Sequence, residues 1–217
     1  MRNFSFLFQK RCINCHVNAQ HEYMLCEDCL DKLVFVDGYR DIDDSECYFS
    51  LMYQKLAKKL IYDYKLNKKE VIKYVLSDIL IDKIKEKNLS DYTLVIVPST
   101  RKTIANRGFD HVHEIAREIS GQNNMDYLEG AIKKTRETKI QHNLSQMQRY
   151  QNLKGAFAIE TDLSDKKILV VDDIVTTKNT LCEIKRTLNG KYLDLKFIAV
   201  ASRANEKYKM CDSVFDL

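Results

Sequence analysis

A short apolar run, two adjacent acids and a hydroxyl-rich turn follow one another between Ile168 and Thr180, and few folds accommodate this order. The four aliphatic residues 168–171 are typical of a strand buried on both faces of a parallel sheet. Residues 181–188 have the apolar spacing of a helix, and Gly190 suits the C-terminal cap of that helix. The segment therefore predicts a strand–turn–helix unit of an α/β protein.

Such a unit can bind a sugar phosphate. A helix start offers unpaired backbone N–H groups and a positive dipole end to a phosphate. The side chains of Asp172 and Asp173, at the end of the predicted strand, can accept hydrogen bonds from sugar hydroxyls. The sequence thus predicts a sugar-phosphate site at this turn.

The remaining periodic segments complete a layered fold. Residues 92–97 and 195–201 read as buried strands, and residues 54–87 and 110–119 read as helices. The second helix of the 54–87 segment is expected to begin after Asn67, because an acid follows three positions later. With right-handed crossovers, this order predicts a parallel, doubly wound sheet flanked by helices.

Three connecting segments are predicted to be loops. The first is a solvated acidic loop, residues 37–46, which joins two expected strands at residues 33–36 and 48–53. Residues 101–108 are predicted to be a basic loop just beyond a strand end. Residues 133–157 are predicted to begin with a mobile basic loop that could close over a ligand, with a disordered connector as the alternative.

Four of the seven cysteines form two Cys-x2-Cys pairs, Cys12/Cys15 and Cys26/Cys29, near the N-terminus. Two such pairs complete a tetrahedral zinc site, which would be structural because it leaves no open position. The alternative is four reduced structural cysteines. We expect a zinc ribbon at residues 1–35 and a second, larger domain at residues 36–217.

The segment from Lys55 to Lys73 contains seven lysines and only two acids, with four tyrosines in or beside it. This pattern suits a surface that follows a nucleic-acid backbone, with tyrosines free to stack on bases. A solvated helix face with core tyrosines is the alternative. The DNA-binding candidates are Lys55, Lys58, Lys59, Lys65, Lys68 and Lys69.

Several phosphate-binding classes are excluded. The chain has neither a Gly-x4-Gly-Lys-Ser/Thr loop nor a dinucleotide fingerprint. A receiver domain carries its adjacent acids near its start, whereas Asp172 and Asp173 lie near the end of this chain.

The remaining pattern resembles the phosphoribosyl pyrophosphate (PRPP) signature of type I phosphoribosyltransferases, Val-Asp-Asp-Val-x-Thr-Thr-Gly-x-Thr. The cysteine pairs, Arg107-Gly-Phe-Asp110, and the spacing of Gln141, Leu144, Arg149 and Asn152 together resemble the competence protein ComF family, also called GntX-like. The resemblance implies a type I phosphoribosyltransferase-like α/β domain behind a small zinc ribbon.

The resemblance also implies ligand-binding roles for specific residues. Asp172 and Asp173 would hold the ribose hydroxyls of PRPP, and Mg²⁺ would be coordinated largely through substrate and water. The residues of the PRPP-binding set are Asp172, Asp173, Ile174, Val175, Thr176, Thr177, Lys178, Asn179 and Thr180. On the pyrophosphate side the residues are Ser99, Thr100, Arg101 and Arg107.

Two positions depart from the family pattern. Lys178 stands where the phosphate turn carries glycine, a residue that tolerates unusual φ angles. Pro98-Ser99-Thr100 replaces Pro-Val-Pro on the pyrophosphate side. For a general base, His142 is the sole candidate, so the sequence leaves turnover and the acceptor open.

The function implied by the resemblance is that of a competence protein handling incoming single-stranded DNA, with a domain that binds PRPP and Mg²⁺. A true phosphoribosyltransferase of nucleotide salvage or of another acceptor, and a non-catalytic PRPP-sensing adaptor, are the alternatives. Expected partners are single-stranded DNA and a competence helicase or membrane-channel protein. The chain has no apolar run as long as a membrane span and a net charge of +4, and we expect a cytoplasmic location at the periphery of the inner membrane.

Overall fold

The computed structural model describes residues 11–19, 22–136, 152–176, 178–203 and 209–210. Thr177 lies outside the described residues. So do residues 137–151, which contain most of the predicted basic loop, together with Gln141, His142, Leu144 and Arg149.

Eight strands and six α-helices are described. The strands are β1 (Phe35–Ile42), β2 (Ser45–Met52), β3 (Thr93–Ile96), β4 (Ile132–Lys134), β5 (Phe157–Ile159), β6 (Lys167–Val175), β7 (Asp194–Ser202) and β8 (Lys209–Met210). The helices are α1 (Glu27–Leu30), α2 (Lys55–Leu66), α3 (Ile72–Glu86), α4 (Arg101–Arg107), α5 (His111–Asn123) and α6 (Asn179–Leu188).

A six-stranded sheet forms the centre of the fold, in the order β3-β6-β7-β2-β1-β8. The four strands β3, β6, β7 and β2 are parallel, which confirms the predicted α/β class. Strand β1 pairs antiparallel with both β2 and β8, so the sheet is mostly parallel and becomes mixed at this side. The edge is antiparallel because β1 and β2 are joined as a hairpin, which reverses the chain direction.

The acidic segment 37–46 is not the solvated loop that the sequence predicted. Residues 37–42 belong to β1 and residues 45–46 to β2, so only Asp43 and Asp44 form the turn. In β1, buried residues alternate with partly exposed ones from Gly38 onward. An antiparallel strand can keep one face exposed to solvent, which is why acids are tolerated there.

Two helix predictions also need correction. Residues 101–107 form α4, not a loop, since Thr100 Oγ1 caps the helix by accepting from Thr103 N at 3.1 Å. Gly108 ends α4 with a φ of 92°. Asn67 does not start the second helix: it is the C-cap of α2, and α3 begins at Ile72.

Two buried clusters cover the two faces of the sheet. Helices α2, α3 and α5 and the cysteine segment contribute to the first cluster, and α6 with the β4–β5 pair contributes to the second. Strand β6 alternates between them, since Leu169 and Val171 join the first cluster and Ile168 and Val170 the second. The predicted strand at residues 168–171 is thus confirmed as buried on both faces.

No described helix could serve as a membrane span. The longest of them, α3, has 15 residues, and none within the described residues combines the necessary length with sufficient apolar character.

Candidate functional site

The two adjacent acids were predicted at the end of the strand, and they lie within β6, which continues to Val175. Asp173 is 5% exposed and Asp172 is half-buried. Because neighbouring strand residues point to opposite faces, Asp173 faces the side of α2 and α5, and Asp172 faces the side of α6. The Oδ1 atom of Asp172 accepts a hydrogen bond from Asp173 N at 2.8 Å.

Side chains from two helices converge on Asp173. The ammonium of Lys65, near the end of α2, forms an ion pair with Asp173 Oδ2. The Nε2 atom of His111, at the start of α5, lies 3.1 Å from the same oxygen. The other ring nitrogen of His111 contacts the guanidinium of Arg107 at the end of α4. The result is a chain of contacts from the surface arginine to the buried carboxylate.

The two carboxyl groups have opposite pKa shifts. Burial, followed by the charge of Asp173, raises the pKa of Asp172 well above its ordinary value. Burial also disfavours the ionised form of Asp173, but Lys65 and His111 hold the pKa of that carboxyl well below its ordinary value. Asp173 therefore carries the negative charge of the pair, and Asp172 is the member that takes up a proton more easily.

The turn after β6 leads directly into α6. Thr176 and Lys178 are partly exposed there, and α6 begins at Asn179 and Thr180. Lys178 has φ −69° and ψ −15°, ordinary right-handed values, so this turn needs no glycine at the position where the family carries one. The Nδ2 atom of Asn179 is buried and has no hydrogen-bond partner among the described residues. The first turn of α6 thus presents an unused donor beside its backbone N–H groups.

The residues predicted for the pyrophosphate side surround the start of α4. Thr100 caps α4, and Ser99 donates a hydrogen bond of 3.5 Å to Asp110, which in turn caps α5. Arg101 is exposed on the first turn of α4, while Arg107 at its end contacts His111. Of the two arginines, the described contacts connect only Arg107 with the acid pair.

The four grouped cysteines come together in space. The Sγ atoms of Cys12, Cys15, Cys26 and Cys29 all lie within 4.8 Å of one another. In a tetrahedral site with Zn–S bonds of about 2.3 Å, sulfur atoms lie about 3.8 Å apart. The cluster therefore fits a closed site that could hold a metal such as zinc.

Hydrogen-bond donors surround this cluster. Burial raises the pKa of Cys12, but backbone N–H groups of Cys15, Cys26 and Asn14 lower it to about 6. The side-chain amide of Asn14 donates to Cys29 Sγ at 3.2 Å. Donors of this kind stabilise metal-bound thiolates and orient them.

The lysine-rich segment is only partly a surface. All the predicted DNA-binding lysines except Lys65 are exposed. Lys59 and Lys69 form ion pairs with Asp63. Of the interleaved tyrosines, Tyr62 is 52% exposed and Tyr64 is 1% exposed, so Tyr64 belongs to the core and is not free to stack on a base. The exposed residues of the segment remain a predicted nucleic-acid surface.

Sequence reasoning missed His111 as a member of the site. Its signal was weak, because it follows the Arg107-Gly-Phe-Asp110 motif as an ordinary first residue of a predicted helix. It also missed the contact between Lys65 and Asp173, because Lys65 was assigned to the lysine surface. No local pattern reports that contact.

Comparison with known proteins agrees with this geometry. A family model described as "Phosphoribosyl transferase domain" matches residues 66–216. The matched region begins at the end of α2 and contains the acid pair, the α6 turn, Arg107 and His111.

Curated relatives carry names from DNA utilisation and competence. The "DNA utilization protein YhgH" of Escherichia coli (strain K12) is 28% identical over 183 residues, covering 82% of this chain and 77% of that protein. The "Competence protein F" of Haemophilus influenzae is 31% identical over 85 residues, covering 38% of this chain and 37% of that protein. The "Competence protein ComFC" of Streptococcus pneumoniae is 28% identical over 137 residues, covering 63% and 58%. The expected resemblance to the ComF family is confirmed.

Proposed function

Because the chain belongs to the phosphoribosyl transferase domain family, we propose that it binds PRPP with Mg²⁺ at the acid pair and handles single-stranded DNA in natural transformation. The competence and DNA-utilisation relatives support a role related to DNA uptake. The contacts of Lys65 and His111 with Asp173, and of Arg107 with His111, near the end of β6 where α6 begins, are the observation that carries the proposal.

In this proposal each part of the site has one task. Asp173, held anionic, accepts hydrogen bonds from the ribose hydroxyls. The N-terminal turn of α6, with Lys178 and the Asn179 amide, binds the 5-phosphate. Arg107 and Arg101 face the pyrophosphate, whose charge they offset. Mg²⁺ would neutralise the negative charge that the pyrophosphate oxygens develop. In this structure the ammonium of Lys65 offsets the charge of Asp173.

The DNA surface in this proposal is the exposed side of α2 and the segment after it. Its lysines are Lys55, Lys58, Lys59, Lys68 and Lys69. Tyr62 offers a ring to an unpaired base. Zinc at the four cysteines would be structural, since four thiolates leave no open position. We place the protein in the cytoplasm at the inner membrane, where incoming DNA and a helicase or channel partner would meet it.

Calorimetric titration of PRPP with Mg²⁺ tests the sugar-phosphate part of the proposal. We expect saturable binding to the wild type and its loss in the Asp172→Asn, Asp173→Asn double variant. A matched double variant of two exposed acids, Asp91→Asn with Asp162→Asn, should bind like the wild type. Equal binding by both double variants, or none by the wild type, would contradict the proposal. Pyrophosphate release with a panel of nucleobases separates a transferase from a binding protein.

Fluorescence anisotropy with a labelled oligodeoxythymidine tests the DNA part. Affinity should fall steeply with salt, because phosphate contacts release counterions. Lys58→Ala with Lys59→Ala should weaken binding, whereas Lys133→Ala with Lys167→Ala, two exposed lysines elsewhere, should not. An affinity that does not change with salt concentration, or an equal loss of affinity in both double variants, would rule out this surface.

A further inference from the structure

Helix α2 connects the predicted DNA surface with the acid pair. Lys55, Lys58, Tyr62 and Lys65 follow one another at spacings of three and four residues, so they lie along one stripe of the helix. The first three are exposed, whereas the Lys65 side chain is only 22% exposed. The stripe therefore begins in solvent and ends at the site.

The end of the stripe is an ion pair with a functional carboxylate. The ammonium of Lys65 contacts Asp173, whose side chain is 7% exposed. The Nε2 atom of His111 lies 3.1 Å from the same Asp173 oxygen. The proposed acceptor of hydrogen bonds from the sugar hydroxyls, Asp173, is thus paired with a lysine of α2, the helix that carries the predicted DNA surface.

Neighbouring groups make this contact exchangeable. Lysine is a point charge on a flexible four-carbon chain, so its ammonium can change partners without moving the helix. Lys68, just beyond the C-cap of α2, lies near Gly108, since a Cβ atom built on Gly108 would be 3.3 Å from the Lys68 Nζ. Phosphates bound on the stripe would therefore attract Lys65 outward, toward Lys58 and Lys68. His111 would remain beside Asp173.

We infer that Lys65 is a positioning residue shared by both surfaces, so that nucleic acid bound on α2 and a magnesium sugar phosphate bound at Asp173 strengthen each other. This inference rests on the proposed function. When a phosphate backbone binds the Lys65 ammonium, the ion pair with Asp173 breaks and Asp173 becomes available to the sugar hydroxyls. When a sugar phosphate with Mg²⁺ binds at Asp173, the same ion pair breaks and Lys65 becomes available to the DNA phosphates. Because coupling between two binding equilibria is reciprocal, each ligand must raise the affinity of the other by the same factor.

A double titration measures this coupling in the wild-type chain. PRPP with Mg²⁺ is titrated by calorimetry with and without saturating oligodeoxythymidine, at about 0.15 M salt, where exposed charges beyond about 8 Å are screened. We expect the oligonucleotide to tighten PRPP binding about fivefold, the lower end of ordinary allosteric coupling. The reverse titration should give the same factor.

Variants of Lys65 show whether this residue carries the coupling. In Lys65→Met the affinity for each ligand should no longer depend on the other ligand, whereas Lys65→Arg and the distant control Lys133→Met should retain the mutual enhancement. Failure of the wild type to bind either ligand overturns the proposed function and this inference together. Binding of both ligands with no enhancement, with mutual weakening, or with enhancement that survives in Lys65→Met overturns this inference alone. If Lys65→Met does not fold, the wild-type double titration still decides whether the coupling exists.

Discussion

Replacing Asp63 by asparagine should remove the anchor of the α2 C-terminus. Asp63 is 6% exposed, and its carboxylate accepts hydrogen bonds from Lys69 at 2.8 Å, Asn67 at 2.8 Å and Lys59 at 3.1 Å. These contacts tie the end of α2 to the segment that leads into α3. They also position Lys65 and the exposed lysines of the predicted DNA surface.

The pKa of Asp63 gives the magnitude. The hydrogen bond from Lys69 is the largest cause that lowers this pKa, and burial opposes it. With the further hydrogen bonds from Asn67 and Lys59, the pKa falls from 3.8 to about 2. At about 1.4 kcal/mol per pKa unit, the ionised form contributes on the order of 2 kcal/mol. The two lysines are about half exposed, so solvent screening reduces the expected loss in Asp63→Asn to about 1–2 kcal/mol.

The sign of the pH dependence follows from linkage. A carboxyl whose folded pKa is lowered stabilises the protein fully above its unfolded pKa, near 3.8, and loses that contribution as the pH falls toward about 2. Urea titrations followed by circular dichroism should therefore show the full difference between wild type and Asp63→Asn at pH 7. At pH 3 roughly half of it should remain.

An exposed ion pair provides the control for this measurement. Asp91 is paired with Lys167, but both side chains are about half exposed, so Asp91→Asn should change the free energy of unfolding by less than about 1 kcal/mol. Equal losses in the two variants, or a loss in Asp63→Asn that does not shrink between pH 7 and pH 3, would refute the reasoning.

Three further substitutions test the metal cluster, the core and the α4 turn. Cys29→Ser should lower the zinc content, measured by atomic absorption, and the melting temperature, because a four-thiolate site loses a ligand. An unchanged zinc content would contradict a zinc site at these four cysteines. Phe197→Ala, at a fully buried position of β7, should cost about 3–5 kcal/mol in urea unfolding, and a cost below about 1 kcal/mol would contradict the packing. Gly108→Ala should destabilise by about 1 kcal/mol, since φ is 92° there, and a stabilising effect would contradict that conformation.

The strand–turn–helix unit and the cysteine grouping could be predicted because their determinants are local. Four aliphatic residues specify β6, the apolar spacing specifies α6, and two Cys-x2-Cys pairs specify the cluster within a short segment. The errors occurred where local patterns are ambiguous. The acidic residues 37–46 were predicted to be a loop but belong to the β1–β2 hairpin. The basic residues 101–107 were predicted to be a loop but form a short capped helix.

Long-range packing alone decided the composition of the site. His111 and Asp173 are 62 residues apart in the chain, and they meet because α5 packs against the sheet beside the end of β6. Lys65 reaches the same carboxylate from α2, on the same face. The sequence by itself determined that a strand ending in two acids leads into a helix that can receive a phosphate. Only the tertiary structure decided which of the two acids is buried, ionised and paired, because that depends on which helices cover each face of the sheet.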